Sequence, residues 1–173
     1  GIFNKDSRPF RTYAAGYENF LRDAIRFLYR RGQKDAAEAY RQKLLTWTDQ
    51  NYNDPARAEE LSVPLDQFVF NEIVKDDRFA VPDVALSEIV ASLQSAFTEG
   101  LLAGNQALYR ESMNYAAEFH KRFVERQIFN TNVNQGDRAR MEFIIDRDFQ
   151  VFAGSILAAL AASAAAPGCE RSG

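Results

Sequence analysis

The chain has 173 residues, 46% apolar and 26% charged, with fourteen Phe, seven Tyr and one Trp. That is about one domain's length with material for a packed core, and not the composition of a disordered segment. One Cys excludes an intramolecular disulfide and zinc sites built from cysteine pairs, and one His excludes every two-histidine metal motif.

Residues 1–12 read as an N-terminal arm, because Pro9 interrupts a helix there. Residues 13–166 read as a single helical domain, with a flexible tail over 167–173. The first helix is expected over Tyr13–Arg31, with Tyr17, Leu21, Ala24 and Leu28 at helical spacing and Phe20 and Phe27 alongside. Gly32 suits its end, since glycine adopts the left-handed conformation without steric cost. The second helix, about Lys34–Gln50, carries Ala37, Tyr40, Leu44 and Trp47. The short turn between the two predicts an antiparallel hairpin. Asp54 and Pro55 read as cap and first residue of a short helix to Leu61. Ser62 is then expected to cap a helix carrying Leu65, Phe68, Val69 and Ile73 and ending near Lys75.

DDRFAVP reads as a connector. A helix from Pro82 to about Gly104 is expected to bury Leu86, Val90, Leu93, Phe97 and Leu101. Asn105 can cap the next, Gln106–Phe129, with Leu108, Tyr115, Phe119 and Phe123 on one side. NTNVNQGD reads as a loop, with Gly136 a turn residue and Asp137 a cap. A final helix carries Met141, Ile145, Phe149, Phe152, Ile156 and Leu160, stopped by Pro167 and Gly168. Almost no segment alternates with period two. The fold class is therefore all-α, an irregular bundle of six or seven helices built from antiparallel helical hairpins.

Phosphate-binding glycine loops and the G-x-S-x-G elbow are absent. Ser155, inside an apolar helix, reads as a packing residue. His120, in EFHKRF, reads as a partly exposed surface histidine. Glu118, two residues away, lies on another side of the helix. The Glu-x-x-His pairs of carboxylate-bridged iron bundles are missing. Asp76-Asp77 and Asp146-Asp148 are the densest acidic pairs, match no EF-hand spacing, and read as solvated surface. Cys169 falls in the tail. No catalytic residue, metal or cofactor is expected.

Charge is unevenly distributed. Residues 1–48 hold ten Lys/Arg against five Asp/Glu, 49–100 hold three against eleven, and 101–173 hold eight of each, for a net −3. A pI near 5.3 argues against nucleic acid as the main ligand. Glu18, Arg22, Arg26 and Arg30 stand four apart on one helix, and Arg31 and Lys34 extend the patch. Arginines so placed repel one another by about 0.2–0.5 kcal/mol per pair, so something acidic is expected against them. The acidic middle of the same chain is one such partner and another protein a second. These five basic residues, Arg22, Arg26, Arg30, Arg31 and Lys34, are the candidate partner-binding set.

Residues 149–166 hold no charge. As a helix they would span about 27 Å, just short of the ~30 Å hydrocarbon core of a bilayer. A buried closing helix with a small-residue face is expected, with a membrane-proximal or dimerising helix as alternatives.

The stretch FLYRRGQKDAAEAYRQKLL resembles one tetratricopeptide (TPR) helical hairpin, over residues 19–47. Gly32 matches the turn, Ala37 the small residue at the helix crossing, and Tyr29 and Tyr40 the aromatic packing positions. Ile25 and Arg41 depart from the family's small and aromatic residues, and no second copy occurs at a period of 34. The resemblance implies a helix–turn–helix unit whose groove takes extended peptides or partner helices.

The favoured reading is a non-catalytic helical protein-interaction or scaffold module. Its start without Met suggests a domain of a larger polypeptide, and cysteine scarcity suits the cytoplasm. The alternatives are a membrane-associated assembly subunit with 149–166 at the bilayer, and an enzyme of unidentified class.

Overall fold

A computed structural model describes residues 8–47, 53–128, 135–145 and 147–165. Among them are eight α-helices and no strand: α1 (Arg8–Arg30), α2 (Lys34–Thr46), α3 (Pro55–Ser62), α4 (Leu65–Lys75), α5 (Pro82–Ser95), α6 (Gln106–Ile128), α7 (Gln135–Ile145) and α8 (Phe149–Ala165). The all-α class holds. The chain forms two compact units, 1–76 and 77–173, where length alone suggested one domain.

In the first unit α1 packs along α2 as an antiparallel hairpin, and α4 lies against both. Helix α1 begins inside the expected arm. Pro9 sits in its first turn, where a backbone N–H has no intrahelical partner and its absence costs nothing. Gly32 ends the helix at φ +71°, and the Gln33 N–H reaches back to the Leu28 carbonyl at 2.9 Å, closing the C-terminal motif that glycine favours. The buried side of α1 is Ala14, Leu21, Ile25 and Tyr29. It is turned from the expected Tyr17–Leu21–Ala24–Leu28 stripe, and Phe20 and Phe27 lie outside the core. Opposite it are Ala37 and Leu44 of α2, Leu61 of α3, and Phe68, Val69, Phe70 and Ile73 of α4.

Helix α2 stops at Thr46, short of Gln50, and residues 48–52 lie outside the described set. Asp54 caps α3 as expected, accepting the Ala56 N–H at 2.9 Å, with Pro55 following. Ser62 is not a cap: it is the last residue of α3, its hydroxyl donates to the Glu59 carbonyl, and the Pro64 carbonyl opens α4. Two arginines cap C-terminal ends instead. Arg57 donates to the Leu44 carbonyl at 2.9 Å and Arg41 to those of Leu61 and Val63 at 2.6 and 3.1 Å.

In the second unit α5 and α6 form the central pair, with α7 and α8 against them. The expected connector contains a 3₁₀ turn, Asp77–Ala80, docked on α6. Phe79 meets Phe119 edge-on at 5.4 Å, and Gln127 donates to the Ala80 carbonyl at 2.7 Å. The buried side of α5 is Ala85, Ile89, Ser92, Leu93 and Ala96. Among the large residues expected there only Leu93 is fully buried, and Leu101 is exposed. Small side chains let α6 approach closely: the Ser92 hydroxyl reaches the Ser112 carbonyl at 2.8 Å. The approach is tightest in a π-helical turn, Ala96–Leu101, that continues α5. There a Cβ on Gly100 would stand 2.8 Å from the backbone of Tyr109.

Gly100→Ala is therefore expected to cost about 1–3 kcal/mol, as overpacking does. Gly154→Ala, where a Cβ meets nothing within 4 Å, is expected to gain up to about 1 kcal/mol from helix propensity. Urea unfolding of the two variants checks both signs.

Gly104, at φ +71°, ends the turn as expected. Asn105 caps α6 by accepting the Leu108 N–H at 3.1 Å. Gly136 and Asp137 lie in the first turn of α7 rather than before it. The expected last helix is broken. Asp148 caps α8, accepting the Gln150 N–H at 3.1 Å with its side chain and the Phe152 N–H at 2.9 Å with its backbone carbonyl. That break makes eight helices of the expected six or seven. The tail, Cys169 included, lies outside the described residues.

Candidate functional site

Three different surfaces run along α1. At about 3.6 residues per turn, the core face of Leu21, Ile25 and Tyr29 is flanked on one side by the arginine row and on the other by aromatics.

Arg22 binds Glu18 at 2.8 Å, Glu60 of α3 at 2.5 Å and Glu72 of α4 at 2.8 Å, and Lys75 pairs with Glu60 at 3.2 Å. Burial works against the Arg22 charge. The field of Glu72 and hydrogen bonds from all three carboxylates outweigh burial and hold the guanidinium pKa above its ordinary value. Arg26 pairs with Asp76 at 3.0 Å and with Asp23. The acidic partner of these two arginines is thus the acidic middle of the chain itself. Asp76 joins this half-buried cluster rather than facing solvent, while Asp77 is exposed and pairs with Arg126 at 2.7 Å. Asp146 lies outside the described residues.

The remaining basic candidates sit among rings at the far end of α1. The guanidinium carbons of Arg30 and Arg31 lie 5.5 and 5.8 Å from the Phe27 ring centre. Lys34 lies 5.0 Å from that of Tyr29 and 3.5 Å from Asp66. The five candidates therefore divide: Arg22 and Arg26 join helices within the unit, and Arg30, Arg31 and Lys34 surround an exposed phenylalanine.

The other flank was missed in reading the sequence. Tyr13, Tyr17, Phe20, Ala24 and Phe27 succeed one another in steps of four and three, the spacing of a helix-pairing seam. Tyr13, Phe20 and Phe27 are 64%, 55% and 51% exposed. Tyr17 stacks on Tyr13 at 6.4 Å and meets Trp47 at 4.7 Å, and Phe20 meets Tyr40 at 6.5 Å. Lys43 lies 4.6 Å from the Tyr40 ring centre. Aromatic residues at 13, 20 and 27, seven apart, were the signal available in the sequence.

In the second unit His120 is 7% exposed, a correction to the surface reading. Its Nε2 hydrogen-bonds the Ile144 carbonyl at 2.7 Å, and its ring lies 5.6 Å from both Phe149 and Phe152. It joins α6 to α7 and α8. Ser155 donates to the Phe152 carbonyl of its own helix. Helix α8 buries fully only Phe152 and Ala153. Ile156 and Leu160 are half-buried, and Val151, Ala158, Ala159 and Ala161–Ala165 are exposed. The expected closing helix is buried at its start alone, because alanine offers little surface to draw the rest inward. Among the described residues no helix is long and apolar enough to cross a membrane, and no three His, Cys, Asp or Glu gather as a metal would need. Helix α8 also lacks the cationic face that holds an interfacial helix on a bilayer. No protein-family model, curated protein or solved structure matches this chain.

Proposed function

We propose that the chain is a non-catalytic helical protein-interaction module, with the α1–α2 hairpin as a solitary TPR-like unit and the aromatic face of α1 as its contact surface. One observation carries this reading: three large aromatic side chains on one helix are each about half or more exposed, in register, beside a packed core that could have taken them. Aromatic residues concentrated on a surface are what protein interfaces use as anchors, since each buries a large area with few rotatable bonds.

The test is a photo-crosslinking residue at position 20 or 27 of the chain in its native cell. The same discrete protein adducts are expected at both positions, with none from Glu125, an exposed residue of α6. Absence of adducts at 20 and 27 overturns the reading. Phe20→Gln with Phe27→Gln is expected to leave the thermal midpoint of the chain nearly unchanged, within about 0.5 kcal/mol of stability as for other surface changes, while abolishing those adducts from a crosslinker at Ala24.

A further inference from the structure

We infer that the occupant of the α1 aromatic face is an amphipathic helix with acidic flanks. This rests on the interaction reading above and narrows it to one chemistry.

Steps of four and three residues are what a partner helix matches with its own apolar stripe, because both then present side chains along one line. The seam Tyr13–Tyr17–Phe20–Ala24–Phe27 covers two full repeats of that spacing, enough for one helix to lie along it. Charge selects the partner. The charged groups found against the rings of this side are cationic: Arg30 and Arg31 at Phe27, and Lys43 at Tyr40. The carboxylates that bind the arginine row, Glu18, Glu60, Glu72 and Asp76, lie on the other flank of α1.

A second copy fits poorly. Pairing α1 with itself in parallel sets Arg30 and Arg31 against their own counterparts. Pairing it antiparallel about Phe20 sets them against the region of Arg8 and Arg11. Like charges meet in both arrangements. A helix with glutamates or aspartates beside its stripe meets them with opposite charge, and rim charges of that kind set specificity and association rate.

The chain carries its own reporter, since Trp47 is its only tryptophan and touches Tyr17 of the seam. The probe is a synthetic helix-forming peptide of about three heptads, leucine at the a and d positions and glutamate at e and g. Its twin has lysine for glutamate. Titrated into the full chain at low salt, the acidic peptide is expected to shift Trp47 emission saturably. Phe20→Gln with Phe27→Gln is expected to weaken that binding at least tenfold. So is Arg30→Glu with Arg31→Glu, provided its thermal midpoint matches the parent. Should that variant lose its fold, salt on the parent chain decides instead: binding must weaken as exposed charges are screened.

Failure of the acidic peptide to bind, equal binding of the lysine peptide, or indifference to the Phe pair overturns the inference. So does binding to phosphatidylserine vesicles in preference to the peptide, which would assign the face to a lipid surface. Dimerisation in sedimentation equilibrium that the Phe pair abolishes would assign it to a second copy, and also overturns it. Adducts at 20 and 27 with no acidic-peptide binding leave the interaction reading standing and sink only the acidic helix. Loss of both sinks the two together.

Discussion

Arg22→Met is expected to destabilise the chain by about 3 kcal/mol at neutral pH, the scale for removing one partner from a buried ion pair. Methionine keeps the hydrophobic stem over Phe68, whose ring centre lies 5.8 Å from the guanidinium carbon, so the loss reports the charge. Three carboxylates, Glu18, Glu60 and Glu72, then remain gathered around an absent cation. The pH dependence has a definite sign. Burial pushes Glu60 up, but Arg22 and Lys75 outweigh it and hold its pKa below the ordinary value. Glu60 therefore adds stability above the ordinary carboxylate range, lost as pH falls through its lowered value. Glu72 behaves oppositely: burial, the largest influence, raises it in spite of Arg22. Its contribution grows as pH falls through the raised value. Without Arg22 every one of these carboxylates binds its proton more tightly in the folded state. The deficit of the variant must then shrink as pH falls through the carboxylate range, and Glu72→Gln must recover part of it at neutral pH. Urea unfolding at pH 7 and near pH 4 checks both, and a deficit equal at the two would refute this account.

Phe152→Ala is expected to cost about 3–5 kcal/mol, the scale for a large aromatic removed from a core. Phe152 is fully buried, meets Phe143 edge-on at 5.6 Å and stacks on His120. It is also the main anchor of its helix, with only Ala153 buried beside it. The loss should be local as well as global: α8 detaches. Amide hydrogen exchange over 149–165 is then expected to approach the rate of unstructured chain while α5 and α6 stay protected. Uniform loosening of the whole unit instead would show that Phe152 is an ordinary core residue.

Helix positions were legible in the sequence because their punctuation is local. Gly32 and Gly104 take positive φ, Asp54 caps α3 and Asn105 caps α6, and each acts within a few residues of itself. Which side of a helix faces inward was less legible, since it depends on neighbours distant in sequence. On α5 the large apolar residues suggested one face. The close approach of α6 selects another, marked by small residues that a hydrophobicity pattern passes over. On α1 three kinds of residue share one helix. A reading that sought a single stripe merged the aromatic seam with the core. His120 looked exposed because its sequence neighbours are charged, while its actual surroundings come from α7 and α8. The arginine row was readable in outline: four-residue spacing demanded acidic company, and Glu60, Glu72 and Asp76 supply it. That Arg22 and Arg26 would pair inward while Arg30 and Arg31 sit on Phe27 required the positions of α3 and α4.

The last turns of α8, alanine-rich from 158 to 165 and exposed, hold their shape by a different means from the rest of the unit. Alanine is the strongest intrinsic helix former, and it brings almost no packing. Such a segment unravels gradually with warming, from its free end inward, instead of sharing the all-or-none melting of the helices it extends from.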